Sequence, residues 1–401
     1  MSHYFQNITK TQNKLHFDIH HLDVSLVNAL RRVILSEVPT VGFRTEPHTE
    51  STVKIITNSS SLHNEYISHR FGMIPIGFEY AQNYDPEEYK YVLHVQNKTN
   101  QIIDVTTKDI VVLKRNKDSG EFTEVSAERR DFFFPPDPIS KHYILINRLK
   151  PDTSGEQNGE ELHIEATAVV SNGKENARWS PVCQASFHNK VDVAKTAPLL
   201  EKIKQKYKED NNGEITAEEE QAIENRFHIS DADRHFHVNK KYEPNMFEFD
   251  IESIGILHPK DIFLKAFQII SEKLSHFLVE LKEQNTVTIE ESMKQHNAID
   301  IIIQNEDHTL GNLLQSHLEY TNEVKNEPLF KDYSIIRFIG YHQPHPLDDQ
   351  ILLRIGFIPQ YESQKTPFDR EKETIDFLTT YINKLIIFLK ELEGDFESLF
   401  T

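Results

Sequence analysis

The 401-residue sequence has one cysteine, Cys183, and one tryptophan, Trp179. A lone thiol excludes an internal disulfide and any metal site built from several cysteines of this chain, and it suits a reducing compartment. No apolar run approaches the ~18 residues that a membrane helix needs. Met1–Asn13 is polar, so neither a membrane span nor a signal peptide is expected. Basic residues are scarce: 44 Lys and Arg stand against 63 Asp and Glu, a formal net charge of −19. Phosphate backbones are held by Lys and Arg in excess, so the chain is not expected to bind nucleic acid by itself; its charge suits basic protein partners.

Catalytic signatures are missing as well. The sequence contains no phosphate-binding Walker loop, no Gly-x-Ser-x-Gly and no Asp-x-Asp-x-Asp triad. Cys183 has no basic partner beside it that would make it a nucleophile. His235 with His237, and His342 with His345 near Asp348 and Asp349, are the remaining candidate metal ligands. Neither pair has the i, i+4 helical spacing of a zincin, and no third ligand is implied. Among 21 histidines, close pairs arise easily. No metal or cofactor is therefore expected.

What is present is a repeat. An apolar run at Ala298–Ile303 reads as a strand, and after it Leu310, Leu313, Leu314 and Leu318 recur at helical spacing. Thr309 stands at the expected N-cap, with Glu306 and Asp307 adding negative charge before the helix. Near the N-terminus the run Leu15–Ile19 precedes a similar helix over Leu26–Glu37, stopped by Pro39. A single offset of 284 residues carries Asp23 onto Asp307, Ser25 onto Thr309, Leu26 onto Leu310, Asn28 onto Asn312 and Leu30 onto Leu314. Both segments close on a long amphipathic stripe: Phe263, Phe267, Ile270, Leu274, Phe277 and Leu281 in one, Ile375, Leu378, Ile382, Leu385, Leu389 and Leu392 in the other. Each stripe follows a strand-like segment, Met246–Ile256 or Ile351–Pro359.

Two such copies facing one another would bury both sets of stripes, as a pseudo-twofold dimer on one chain. The interface is expected to include Leu26, Asn28, Leu30, Ile270, Leu274, Leu310, Asn312, Leu314, Leu385 and Leu389, each Asn bonding to nearby backbone. Between them, Tyr91–Val95 and Leu162–Ala168 alternate with a period of two, the mark of half-buried strands. The expected organisation is thus residues 1–81 and 245–283 as the first half, 82–244 as an inserted β-rich domain, 284–296 as a polar linker and 297–401 as the second half. Glu201–Asn225 reads as exposed helices separated by Gly213.

These motifs carry a family resemblance. Asn28-Ala29-Leu30-Arg31-Arg32, continuing through Glu37-Val38-Pro39-Thr40, resembles the signature of the third subunit of eukaryotic RNA polymerase II, shared with archaeal and bacterial alpha-type subunits. Glu65–Ile76 resembles that family's next motif. Glu306–Leu314, with Gly340–Pro346 later, resembles the eleventh subunit. A natural fusion of these two subunits is known in large DNA viruses of the asfarvirus and mimivirus kind, and the chain resembles such a fusion over most of its length.

The resemblance implies an α+β fold: an alpha-like dimerisation fold in two pseudo-symmetric halves, with a β-rich insert in the first. It implies a non-catalytic assembly platform on which the two large catalytic subunits of a DNA-directed RNA polymerase meet. A small zinc-bearing subunit, similar to the tenth, would be a further partner, and DNA would be met only through the complex. Arg31 and Arg32, and the loop with Arg178 and Trp179, are expected to contact partner subunits; for Trp179 alone, a plug in the core is the competing reading. Location would be intracellular: infected-cell cytoplasm and virion for a viral protein, with the nucleus also open. The family's third subunit commonly has a cysteine cluster in the insert, and its absence here means that metal binding does not carry over. A free-standing transcription adaptor on the same fold is the alternative.

Overall fold

A computed structural model describes residues 4–400 apart from 79–80, 118, 153–158, 211–212, 214–215, 324–335 and 359–366. Two four-stranded antiparallel sheets form its framework. The first joins β1 (Phe5–Lys10), β2 (Lys14–His20), β13 (Met246–Ser253) and β12 (Val182–Asn189) in the order β1-β2-β13-β12. Along β13 burial alternates strictly. Phe247, Phe249 and Ile251 are buried, while Glu248, Asp250 and Glu252 face outward and pair with His188, His16 and Lys14. This period of two lets one face meet the core and the other meet water.

The second sheet joins β14 (Val287–Glu291), β15 (Ala298–Gln304), β17 (Gln350–Phe357) and β16 (Ile336–His342) in the order β14-β15-β17-β16. The two orders correspond strand for strand. β2 and β15 are each followed by a capped helix, β13 and β17 each precede a long helix, and β1 and β14 occupy the same edge. The supposed linker therefore contains the first strand of the second repeat. β14 pairs with β15 from Val287↔Ile303 to Glu291↔Ile299, and Val287 is buried. Only Val287 and Ile289 signal this strand in the sequence, too few to stand out against polar neighbours. The Ile351–Pro359 segment forms β17, and Pro359 lies outside the described residues.

Helix α1 (Val24–Ser36) packs against α6 (Pro259–Glu283) and α7 (His308–Glu323), and α6 packs against α8 (Pro367–Ser398). Helices α1 and α6 belong to the first half, α7 and α8 to the second. One continuous apolar core takes in both sheets and all four helices. Cross-half aromatic contacts fill it: Phe396 on α8 lies 5.1 Å from Phe5, 5.2 Å from Phe17 and 4.5 Å from Phe263, ring centre to ring centre. Edge-to-face and tilted pairs of this kind add to the burial of their area.

A second, separate core defines the insert, and its limits differ from the expected 82–244. It begins at Val41 and Phe43, includes Ile67 and Phe71 on α2 (Asn64–Gly72), and runs to Ala168. Around it stand a five-stranded sheet in the order β4-β10-β5-β7-β8 and the pairs β6–β9 and β3–β11. Its strands are β3 (Thr40–Gly42), β4 (Val53–Asn58), β5 (Tyr89–Gln96), β6 (Ile103–Thr106), β7 (Ile110–Arg115), β8 (Phe122–Glu124), β9 (Leu145–Leu149), β10 (Glu161–Ala166) and β11 (Val169–Ser171), with α3 over Ala127–Phe133. Thus the stretch from about Val41 to Gly77 belongs to the insert. Conversely, β12 returns to the first sheet, with Ala185 opposite Ile251 and Phe187 opposite Phe249. Local periodicity shows that a segment is a strand but not which core its face joins.

Between β12 and β13 a second excursion carries α4 (Val193–Asp210) and α5 (Ala217–Ser230), the exposed helices expected around Gly213. Gly213 has φ +91°, a left-handed turn that favours glycine. Lys204 on α4 pairs with Glu220 at 2.9 Å and Glu224 at 2.6 Å on α5.

Candidate functional site at the junction of the two halves

The two motif helices begin alike. Asp23 accepts the Ser25 backbone N–H at 2.8 Å, and Asp307 accepts that of Thr309 at 2.8 Å. The aspartates are the caps, and the hydroxyls expected in that role sit two positions further on. An Asp cap satisfies an orphan amide and places a full negative charge at the positive helix end. Displaced from the cap, Thr309 is free for another role: its Oγ1 accepts a hydrogen bond from Arg32 Nε of the first half at 2.8 Å.

Leu26, Leu30, Ile270, Leu274, Leu310, Leu314, Leu385 and Leu389 are all buried in the shared core, as the stripes imply. Asn28 and Asn312 are half-buried. Asn28 does not turn to the backbone as expected: its Oδ1 accepts from Arg31 Nε and Nη2 at 3.0 and 2.9 Å. The amide and guanidinium lie one helical turn apart, which brings their side chains together. Gly311 follows Leu310 because a Cβ there would strike the ring of Tyr341 on β16.

Around the α1 C-terminus and the α7 N-terminus lies a network that sequence reading missed. Glu37, almost fully buried, receives Lys273 of α6 at 2.9 Å and Lys174 of the insert at 3.2 Å. Lys273 also meets Glu306 at 3.0 Å, and Lys174 meets Asp307 at 3.5 Å. Arg32 lies 3.6 Å from Asp307. Three cations and three carboxylates thus join first half, second half and insert. Burial by itself would lift the Asp307 carboxyl, but the Thr309 hydroxyl and N–H, with Lys174 and Lys273, hold it down at about 2. Burial would likewise lower the Lys273 ammonium, and Glu306 with Glu37 outweighs it, leaving its pKa raised.

This geometry revises the reading of the arginines. Arg32 spans the seam between the halves, and Arg31 is tied to its own helix through Asn28. Arg178 donates to Thr45 Oγ1 at 2.5 Å and Glu46 Oε2 at 3.1 Å, its side chain only 6% exposed. Trp179 is 2% exposed and is the core plug, lying against Gly42, where a Cβ would come within 2.7 Å of its ring. Both side chains are enclosed by residues of this chain and do not stand exposed on the loop. The missed residues carry faint signals: Phe396 extends the α8 stripe one turn past Leu392, whereas Glu37, Lys174 and Lys273 look like ordinary solvated charges in the sequence.

Among the described residues, no three His, Cys, Asp or Glu side chains gather as a metal-binding group. His237 lies 3.8 Å from Asp192, and His345 accepts the Leu347 N–H at 3.2 Å. Among the described residues, no helix is long and apolar enough to cross a membrane.

Comparison with known proteins matches both halves separately. Residues 16–274 match the RNA polymerase Rpb3/Rpb11 dimerisation domain, and residues 298–391 match a second model of the same description. The chain belongs to the RNA polymerase Rpb3/Rpb11 dimerisation-domain family. Its relatives include the DNA-directed RNA polymerases I and III subunit rpac1 of Dictyostelium discoideum, 28% identical over 66% of this chain and 78% of the relative. The same organism's DNA-directed RNA polymerase II subunit rpb3 is 25% identical, over 67% of this chain and 91% of the relative. A conjugation stage-specific protein of Tetrahymena thermophila is 23% identical over 68% and 93%. The two matches show two dimerisation domains on one chain, in keeping with its α+β architecture.

Proposed function

We infer that this chain is a non-catalytic subunit of a DNA-directed RNA polymerase, acting as its assembly platform. The observation that carries this is the packing of two Rpb3/Rpb11-type domains into one core, so that the dimer which such domains otherwise form between chains is built in. With its seam already buried, the pseudo-dimer offers its outer surfaces to other subunits without an association step of its own. The partners we propose are the largest and second-largest polymerase subunits and a small zinc-bearing subunit, with DNA reached through them. The single-chain arrangement supports a source among large DNA viruses and a site of action in the infected-cell cytoplasm and virion.

The test is purification of a tagged chain from its own transcribing source. Stoichiometric recovery of two large subunits with RNA-synthesising activity is expected. Recovery of a free monomer beside an intact polymerase lacking it would replace the platform by an adaptor.

A further inference from the structure

The loop Asn172–Ser180 carries the insert to the charged seam, and its anchors divide into two sets. Gly173 lies against the backbone of Leu35 and Ser36 at the end of α1, where a Cβ would not fit. Lys174 donates its backbone N–H to Ser36 O at 2.8 Å and reaches Glu37 and, across the seam, Asp307. Glu175 grips Arg44 through two bonds of 2.9 and 2.6 Å. Arg178 holds Thr45 and Glu46, and the Trp179 carbonyl accepts from Thr40 Oγ1 at 2.7 Å. All the anchors after Lys174 belong to the insert's own edge, strand β3 and the residues that follow it.

Charge decides what the second half contributes. With both halves docked, Arg32, Lys174 and Lys273 face Glu37, Glu306 and Asp307, and the cluster is neutral. Take away the second half and two carboxylates leave with it. Lys174 and Lys273 then share Glu37 beside an unpaired Arg32, and the more exposed of the two ammonium groups, Lys174, is repelled toward water. We propose that the Asn172–Ser180 loop is a docking latch: the contact of Lys174 with Asp307 of the second half fixes it, while Glu306 neutralises the neighbouring Lys273, so the loop around Trp179 is fully ordered only in the closed pseudo-dimer. The insert thereby registers whether the two halves are together, although its own core shares no buried residue with the seam. This concerns coupling inside the chain and stands whichever proteins the platform carries.

Trp179 is the sole tryptophan, so its fluorescence reports this loop alone. Asp307→Asn keeps a good helix cap, since Asn accepts the same N–H, and removes only the charge. In the full-length chain, Asp307→Asn combined with Glu306→Gln should raise acrylamide quenching of Trp179. It should also speed amide exchange at Lys174, Glu175 and Trp179 by roughly twofold to fivefold, the range for a modest ion-pair network. Exchange in β5 and β10 should stay as in the parent. Lys174→Met should give the same change, and Asp307→Asn added to it little more, because both remove one interaction. Asp307→Asn alone serves as the milder variant should the double one fold poorly. Parent-like quenching and exchange in the Asp307 variants would overturn the latch. So would a uniform rise across the whole insert, which would mean general destabilisation.

Discussion

The two halves use the same sheet order and the same pair of helices, yet one is bare and the other is twice interrupted. Among its described residues the second half runs from β14 to α8 without a separate domain. The first half leaves its sheet after α1 to build a separate domain, returns as β12, leaves again for α4 and α5, and returns as β13. Both still present an Asp-capped helix and a long helix to one common core. The comparison teaches that the seam helices and central strands constrain the sequence, whereas the connections between them accept domains. Loops tolerate such insertion when their ends stay close, because closure entropy grows slowly with length.

The most severe way to break the equivalence is at its matched leucines. Leu30→Asp and Leu314→Asp each place an unpaired charge in the core, costing roughly 3–5 kcal/mol or more, against a total stability of about 5–15 kcal/mol. Both should abolish soluble expression. If one tolerates the change with a parent-like melt, the halves are not equivalent at the seam.

Phe396→Ala sharpens the comparison by removing a second-half ring that packs against Phe5, Phe17 and Phe263 of the first half. Loss of about 3–5 kcal/mol is expected from cavity formation, read by urea denaturation as an earlier midpoint. An unchanged midpoint would show that the rings do not join the halves.

Arg32→Ala and Arg31→Ala separate a seam-spanning side chain from one tied to its own helix. Loss of the bond to Thr309 and the contact with Asp307 should cost about 1–2 kcal/mol, whereas Arg31→Ala should stay within roughly 0.5 kcal/mol. Equal effects would remove the distinction. The same denaturation series measures both.

Acid should test the Asp307 end of the network. Its folded pKa is depressed, so its contribution is fully present above the ordinary carboxylate range and is lost as pH falls through about 2. Allowing for solvent screening, roughly 1 kcal/mol should disappear between pH 4 and 2. Asp307→Asn should remove that part of the pH dependence, and melting curves with an unaltered slope in the variant would contradict it. Lys273 has the opposite sign: its raised pKa makes its contribution present at neutral pH and lost on strong alkalisation.

Much of this arrangement was legible, and the reason is locality. The paired helices, β2, β15, β13 and β17 declare themselves through apolar spacing within a few residues. The caps were half legible: Asp and hydroxyl stood at the right places, but only backbone geometry shows which one receives the amide. The insert boundary was misplaced because Val41, Phe43, Ile67 and Phe71 are apolar in either core. The enclosure of Arg178 and Trp179 was not legible because the residues that surround them, Gly42, Thr45 and Glu46, lie more than 130 positions away. Charges are the least legible, since Glu37 and Lys273 differ from dozens of solvated ones only in where the fold sends them.

The attachment of β14 to α6 has a consequence for synthesis. Only residues 284–286 separate the end of one from the start of the other, and β14 packs against α6. As the chain leaves the ribosome, the second half begins as a strand already lying on the first half's long helix. Each later element then has its correct companion on the same polypeptide, ahead of any encounter with another copy. One messenger therefore fixes a one-to-one ratio of the two halves, a balance that separate genes would have to maintain by matched expression.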